Sequence, residues 1–335
     1  MGMPDAVTKM YIRENDVFAD VVNYFLYGGE PVVLPDHLTE LDPVELMLLP
    51  GRKGKKRQWK RDVQKYRDVL KQAVIKNDAE AAYVIFGIEN QTEVHYAMPV
   101  RNMLYDALRY SGQVDEAAAR HREQQKQQGS LEKSKQQEFL SGFRKDDHLL
   151  PVVTFVILFN GAVWDGPKSL HEMMAVKKKE LLEYVQDYRI HIIEPASMSA
   201  SEFGRLRTNL REVLEYIKYS GNQEMLRKLV EENPRMECLN VKAAEVINAV
   251  TQTPIKIEEG VQTVNMCSAI QEMLEQSKND GKREGKIEGK IEGKIEGGID
   301  MLVRLVKQSI LNEKLAAAQA GMSVEQFQKE MKKRS

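Results

Sequence analysis

The sequence predicts an α/β protein: a mixed central sheet flanked by helices, followed by an α-helical module. Three observations lead there. Ala82–Ile88 (AYVIFGI) and Pro151–Phe159 (PVVTFVILF) are short apolar runs rich in β-branched and aromatic residues, as strands buried on both faces of a parallel or mixed sheet are. Asp16–Tyr27 places Val17, Phe18, Val21, Val22, Phe25 and Leu26 on one helical stripe. From Ser199 onward the composition turns helical, with few strand-like runs. At 335 residues the chain exceeds what one core comfortably serves, so two parts and a tail are expected.

Composition narrows the function classes. Lys and Arg number 49 against 50 Asp and Glu, a net charge of −1, so a uniformly basic nucleic-acid binder is excluded and any such surface must be local. Two cysteines, Cys238 and Cys267, without CxxC spacing argue against a zinc site or a disulfide framework and for a reducing compartment. No charged-then-apolar leader opens the chain and no apolar run reaches the ~18 residues of a membrane span, so a cytoplasmic protein without membrane contact is expected. Gly-rich phosphate loops, Ser-His-Asp arrangements and HExxH are all missing from the sequence.

In chain order, Asn15 is placed to cap the helix 16–27 and Gly28-Gly29 to end it; Asp16 and Asp20 fall on its polar face. The proline-marked stretch 31–50 reads as a strand or turn and then a short helix. Arg52–Arg61 (RKGKKRQWKR) holds seven basic residues in ten, and Arg52, Lys53, Lys55, Lys56 and Arg57 with Trp59 suit phosphate contact and stacking; a solvated loop is the plainer alternative. Tyr66, Val69, Leu70, Ala73 and Val74 have helical spacing. As a strand, the same stretch would put Tyr66, Asp68 and Leu70 on one face.

The strand 82–88 runs directly into Glu89, Asn90 and Gln91, and residues two apart share a face, so Glu89 and Gln91 point the same way. Asp68, 21 residues upstream, is the proposed acidic partner, with Asp62 the second choice. Two carboxylates brought together suit a hard divalent cation such as Mg²⁺. Beyond them, Pro99 opens a helix with Val100, Met103, Leu104, Ala107 and Leu108 as its buried stripe. Arg101 and Tyr105 take the other side, and Asp106 reads as part of a charged surface. Arg101 is a candidate clamp for a phosphate or for Glu89, and His95 stands between strand and helix.

KYRDVLK, GIENQ, HYAMPVRNMLYDAL, EFLSGF and LPVVTFVILF with WDGPKSLHEM occur in this order between Lys65 and Met173, and the likeness they carry covers roughly residues 10–175. Together they resemble the recombination-promoting nuclease (Rpn) family, also labelled transposases, within the PD-(D/E)xK nuclease superfamily. The resemblance implies a restriction-endonuclease-like fold and a Mg²⁺-dependent (or Mn²⁺-dependent) DNA endonuclease serving DNA recombination. It also decides for a strand at 66–75. Asp68 and Glu89 would hold the metal, and Gln91 would occupy the place of the usual lysine. That departure motivates an alternative, a weak or inactive nuclease-fold scaffold for DNA or protein.

The expected organisation is a nuclease domain over 1–198 with a polar insertion at 113–137 that cannot be core, and a helical module over 199–278. A spacer over 279–298 and a helical tail over 299–335 follow. Within 1–198, a helix is expected from Lys168, Trp164 is expected to pack, and 188–193 would close the sheet. Ser201 is the expected cap of the first helix in the module, whose further helices are placed at 223–232, 241–250 and 264–276. The spacer holds GKRE and three GKIE copies, whose glycines and i,i+4 like charges oppose an isolated helix, so it should be mobile. The C-terminal helices offer a route to a homo-oligomer.

Overall fold

The computed structural model describes residues 3–42, 44–47, 63–66, 68–77, 80–128 and 142–334. It is a mixed α/β protein that divides into two compact units, 1–267 and 268–335. The first unit opens with helices α1 (Met3–Ile12) and α2 (Asn15–Tyr27). Five strands build its main sheet: β1 (Leu38–Glu40), β4 (Val69–Asn77), β5 (Glu80–Gln91), β6 (Val152–Leu158) and β7 (His191–Ile193). They lie side by side in that order. A separate two-stranded ribbon pairs β2 (Val44–Met47) with β3 (Val63–Tyr66). The pairing of β1, β4 and β5 is antiparallel, whereas β5, β6 and β7 run parallel. A parallel step needs a crossover, and helix α3 (Met98–Gln128) lies in the connection between β5 and β6.

The helical spacing of residues 66–75 gives way to a strand only from Val69: Tyr66 ends β3 in the separate ribbon and Asp68 lies at a bend ahead of β4, so the single strand expected over 66–75 is not formed. Val69, Leu70, Ala73 and Ile75 are all buried because β4 lies between β1 and β5 with a core on both faces, and a two-sided strand loses its alternation. On one face α2 packs against the strands, with Phe25 stacked on Phe155 at 4.4 Å between ring centroids and Phe86 near Phe155 at 6.0 Å. On the other face Leu70, Ile85 and Val152 form a cluster with Tyr110 of α3, and Met98 packs with Val156, Leu158, Trp164 and Ile190. Trp164 is thus a packing residue, and β7 completes the sheet as expected.

Several local expectations are corrected. Asn15 does not cap α2; its amide donates to the Pro35 carbonyl, and Glu14 takes the cap position, while Gly28 ends the helix in the left-handed conformation as foreseen. In the 31–50 stretch a 3₁₀ turn (Pro35–His37) leads into β1 and β2, with no helix among its described residues. No long helix follows Lys168; a 3₁₀ turn at His171–Met173 and the four-residue helix Lys179–Leu182 take its place. Ser199, not Ser201, caps the helix Ala200–Phe203 in a reciprocal capping box with Glu202. The polar stretch from Gln113 continues α3 to Gln128, and part of it is core. Ala117 and Ala118 are buried, and the Gln113 amide clamps both the carbonyl and the N–H of Leu150.

The helices Leu210–Tyr219, Gln223–Glu232 and Val241–Thr251 belong to the same compact unit as the sheet. Asp20 shows how they are joined. Its buried carboxylate accepts the backbone N–H of Arg207 and Thr208 and the Thr208 hydroxyl, so it is a structural anchor and no part of a polar outer face. Beside it the chain passes so close that a Cβ on Gly29 (φ +93°) would sit 2.3 Å from the Arg205 carbonyl oxygen.

The GKIE segment is helical throughout, inside Met266–Lys307. Interior glycines cost roughly 1 kcal/mol each there. The helix continues without a break into the second unit's core, where Ile299 and Val303 pack with Ala316, Ala317 and Phe327 of the last two helices, Glu313–Gln319 and Val324–Lys333. That packing anchors the helix at its C-terminal end.

Candidate active site

The register of the β4 and β5 ladder sets the two predicted acids at the same level. Val69 pairs with Ile88, so Asp68, one residue ahead of β4, comes level with Glu89. Side chains that stand opposite each other in an antiparallel pair share a face. The face in question is the one covered by α3, because Leu70 and Ile85 on it meet Tyr110. One Asp68 carboxylate oxygen accepts the backbone N–H of Asn90 at 2.9 Å, which ties the bend at 68 to the end of β5.

Helix α3 supplies the cation. Arg101 Nη2 lies 3.2 Å from the Glu89 carboxylate, and Arg101 Nε donates to the Tyr105 hydroxyl at 3.1 Å. Glu89 is fully buried. Of the two roles foreseen for Arg101, the structure displays the holding of Glu89. Burial disfavours the guanidinium charge, yet Glu89, Tyr105 and Asp68 outweigh it and keep the Arg101 pKa above its ordinary value. Burial likewise raises the Asp68 carboxyl, against the lowering influence of the Asn90 N–H, Lys9 and Arg101.

A cleft of about 360 Å³ opens here, lined by Asp5, Asp68, Gln91, Thr92, His95 and Arg101 among others. The Gln91 amide donates to the carbonyl of its neighbour Asn90 at 2.9 Å. Asp68, Gln91 and Arg101 therefore border one cavity, whereas Glu89 is not among its lining residues and is joined to it through Arg101. The basic run with Arg52, Lys53, Lys55, Lys56, Arg57 and Trp59 lies outside the described residues, as do Asp62, the 129–137 part of the expected insertion, and residues 138–141 of EFLSGF.

Two members of the site, Asp5 and Lys9, both on α1, are not among the residues singled out by sequence. Lys9 Nζ is 4.0 Å from Asp68, and Asp5 accepts the Thr92 hydroxyl at 3.0 Å at the cleft wall. The signal for α1 is present as Thr8, Tyr11 and Ile12, a short buried stripe behind a proline at the helix start. Nothing in that pattern says that its polar side meets β5.

The stripe expected for α3 is inverted. Val100 and Met103 are 39% and 36% exposed, whereas Asn102, Tyr105 and Asp106 are buried. Asp106 accepts the hydroxyls of Thr154 at 2.6 Å and of Tyr188 at 2.5 Å, so it is an internal anchor and not a surface charge. The cause is the surface beneath: at this end the sheet offers Glu89 and Thr154, and a polar floor selects the polar side of the helix.

A cation that keeps several waters is held through one or two carboxylates; of the two acids expected from the sequence, Asp68 borders the cleft, whereas Glu89 is fully buried and paired with Arg101 at 3.2 Å. Among the described residues no group of three or more His, Cys, Asp or Glu side chains is arranged for a metal ion, and no helix is long and apolar enough to cross a membrane. Comparison with protein-family models, with curated proteins and with solved structures returns no match.

Proposed function

We propose that the cleft at the end of β5 is the active site of a Mg²⁺-dependent DNA endonuclease with a restriction-endonuclease-like core, as the resemblance of its motifs to the recombination-promoting nucleases suggests. The observation that carries this reading is the register that sets Asp68 level with Glu89 beneath Arg101. Asp68 and Glu89 would hold the ion. When bound, Mg²⁺ supplies Lewis-acid polarisation of a phosphoryl oxygen and lowers the pKa of an attacking water.

The chain's own residues divide the remaining work. Arg101, with its fork of donors, fixes Glu89 and presents its free edge to an incoming phosphate. Lys9 adds a second positive charge beside Asp68, where a phosphodiester develops negative charge during hydrolysis. Gln91 borders the cleft as a neutral hydrogen-bonding group that orients a water or a phosphate oxygen. DNA would approach from the cleft mouth, with the basic run 52–61 as its grip.

Two observations favour the alternative, a nuclease-fold scaffold. Glu89 is fully buried against a guanidinium, and the Gln91 amide is turned onto the Asn90 carbonyl. Nicking of supercoiled plasmid separates the two readings. A nuclease nicks with Mg²⁺, stops in EDTA, and loses at least about a hundredfold in Glu89→Ala and Asp68→Ala, since even a metal's outer partners are worth 10–100-fold. A scaffold shows no nicking that depends on either residue.

A further inference from the structure

Ile287, Ile291 and Ile295 of the GKIE repeats are 52%, 54% and 56% exposed, while Ile299 and Val303, further along the same helix, are 6% and 3% exposed under the last two helices. The helix thus passes from a covered apolar stretch to an uncovered one with no change in residue type. A row of exposed isoleucines marks a surface that gains free energy when another apolar surface removes it from water.

The repeat also fixes what flanks that row. At 100° per residue, Lys286, Lys290 and Lys294 stand about 100° to one side of the isoleucines, and Glu288, Glu292 and Glu296 about 100° to the other. The glycines lie roughly 160° away, at the back. All of these residues are exposed, and a Cβ added to Gly285, Gly289 or Gly293 would meet nothing within 4 Å. The helix therefore carries a basic edge, an isoleucine ridge and an acidic edge, in that order around its circumference.

Symmetry converts this order into a choice of partner and direction. When two copies face each other through their ridges about a twofold parallel to the helices, the basic edge of each meets the acidic edge of the other, on both sides. A twofold perpendicular to the helices, which makes the pair antiparallel, sets lysine against lysine and glutamate against glutamate. We propose that residues 285–297 are a self-association segment through which two copies of this chain pair in parallel and in register, isoleucine against isoleucine.

Four residues overshoot a full turn by about 40°, so the ridge sweeps about 80° from Ile287 to Ile295. This stays within an apolar face of about 100°, and the sense of the drift makes the crossing right-handed. Pairing also accounts for a helix that local preferences oppose. Glycine at every fourth position and like charges at i,i+4 disfavour it alone, and burial of the ridge against a second copy offsets them.

The test is sedimentation of the full chain. The wild type should sediment as a dimer, and the triple variant Ile287→Ser, Ile291→Ser, Ile295→Ser as a monomer. The variant Lys286→Glu, Lys290→Glu, Lys294→Glu has two acidic edges, and Glu288→Lys, Glu292→Lys, Glu296→Lys two basic ones. Each should be monomeric alone, and the equimolar mixture should form a heterodimer, which also establishes that both fold. Direction is read from oxidation in a Cys238→Ser, Cys267→Ser background. In a parallel pair Ile287→Cys cross-links to itself, whereas an antiparallel pair centred on Ile291 cross-links only a mixture of the Ile287→Cys and Ile295→Cys chains. A monomeric wild type, a dimer that survives loss of the isoleucines, or cross-linking confined to that mixture overturns the proposal.

Discussion

Lys71 and Glu89 are both buried charges on adjacent strands, yet they sit in opposite kinds of surroundings. Lys71 is 1% exposed and lies on the α2 face, where its ammonium donates to the Arg13 carbonyl at 2.5 Å and to the Asn15 side chain, 5.2 Å from the centre of the Phe18 ring. Two of its three donors go to neutral oxygens within the fold, and burial lowers its pKa. Glu89, on the α3 face, has a carboxylate against Arg101, which itself borders an open cleft with Asp68. Both charges are desolvated; one is enclosed by its own fold and the other backs a cavity wide enough for a ligand. Burial of a charge is therefore no guide to chemistry until the space beside it is known.

The contrast between the two charges breaks first at Glu89. Its truncation should abolish Mg²⁺-dependent nicking of plasmid, whereas nothing comparable is expected at Lys71. Next in size is Arg101→Met, which leaves a fully buried carboxylate without its cation. Removal of one partner of a buried pair costs about 3–5 kcal/mol, and since Arg101 retains 30% of its side-chain exposure, a loss near about 3 kcal/mol is expected in urea unfolding. An Arg101→Met, Glu89→Gln double variant should recover part of that loss, because the stranded charge is gone.

A smaller effect with a definite sign is expected at Asp68. Burial raises its folded-state pKa, so the folded protein binds the proton more tightly than the unfolded chain does. Stability must then fall as pH rises from the ordinary carboxylate value of about 4 through the raised value, and the deficit persists at neutral pH. Asp68→Asn removes the deficit: its stability should exceed wild type at neutral pH and converge with it in acid, while activity is lost. Melting curves across pH read this directly. Smallest of all is Lys71→Met, which keeps the volume and discards the desolvated charge. Its stability should stay within about 1.5 kcal/mol of wild type and its nicking should be unchanged.

Much of the sheet was legible in the sequence, because apolar runs such as 151–159 have few alternatives. Residues 66–75 were not legible from their spacing: a strand covered on both faces has no reason to alternate, and its burial pattern can mimic a helix. The inverted α3 stripe is the reverse case. Periodicity identified a helix correctly but chose the wrong face, since the floor beneath Asn102, Tyr105 and Asp106 is set by Glu89 and Thr154, distant in sequence. Asp68 and Glu89 could be paired from motif order, whereas Asp5 and Lys9 could not, as α1 reaches the site only through tertiary packing. The GKIE repeat teaches the same lesson about scale: its local preferences oppose the helix that it forms within Met266–Lys307.

The most direct test of whether Asp68 and Glu89 share one cation is anomalous scattering from a crystal of the full chain soaked in Mn²⁺. A peak is expected within coordination distance of both carboxylates, lost in Asp68→Asn and in Glu89→Gln. A protein that binds Mn²⁺ elsewhere, or not at all, with those two side chains unchanged in place, would contradict the shared site.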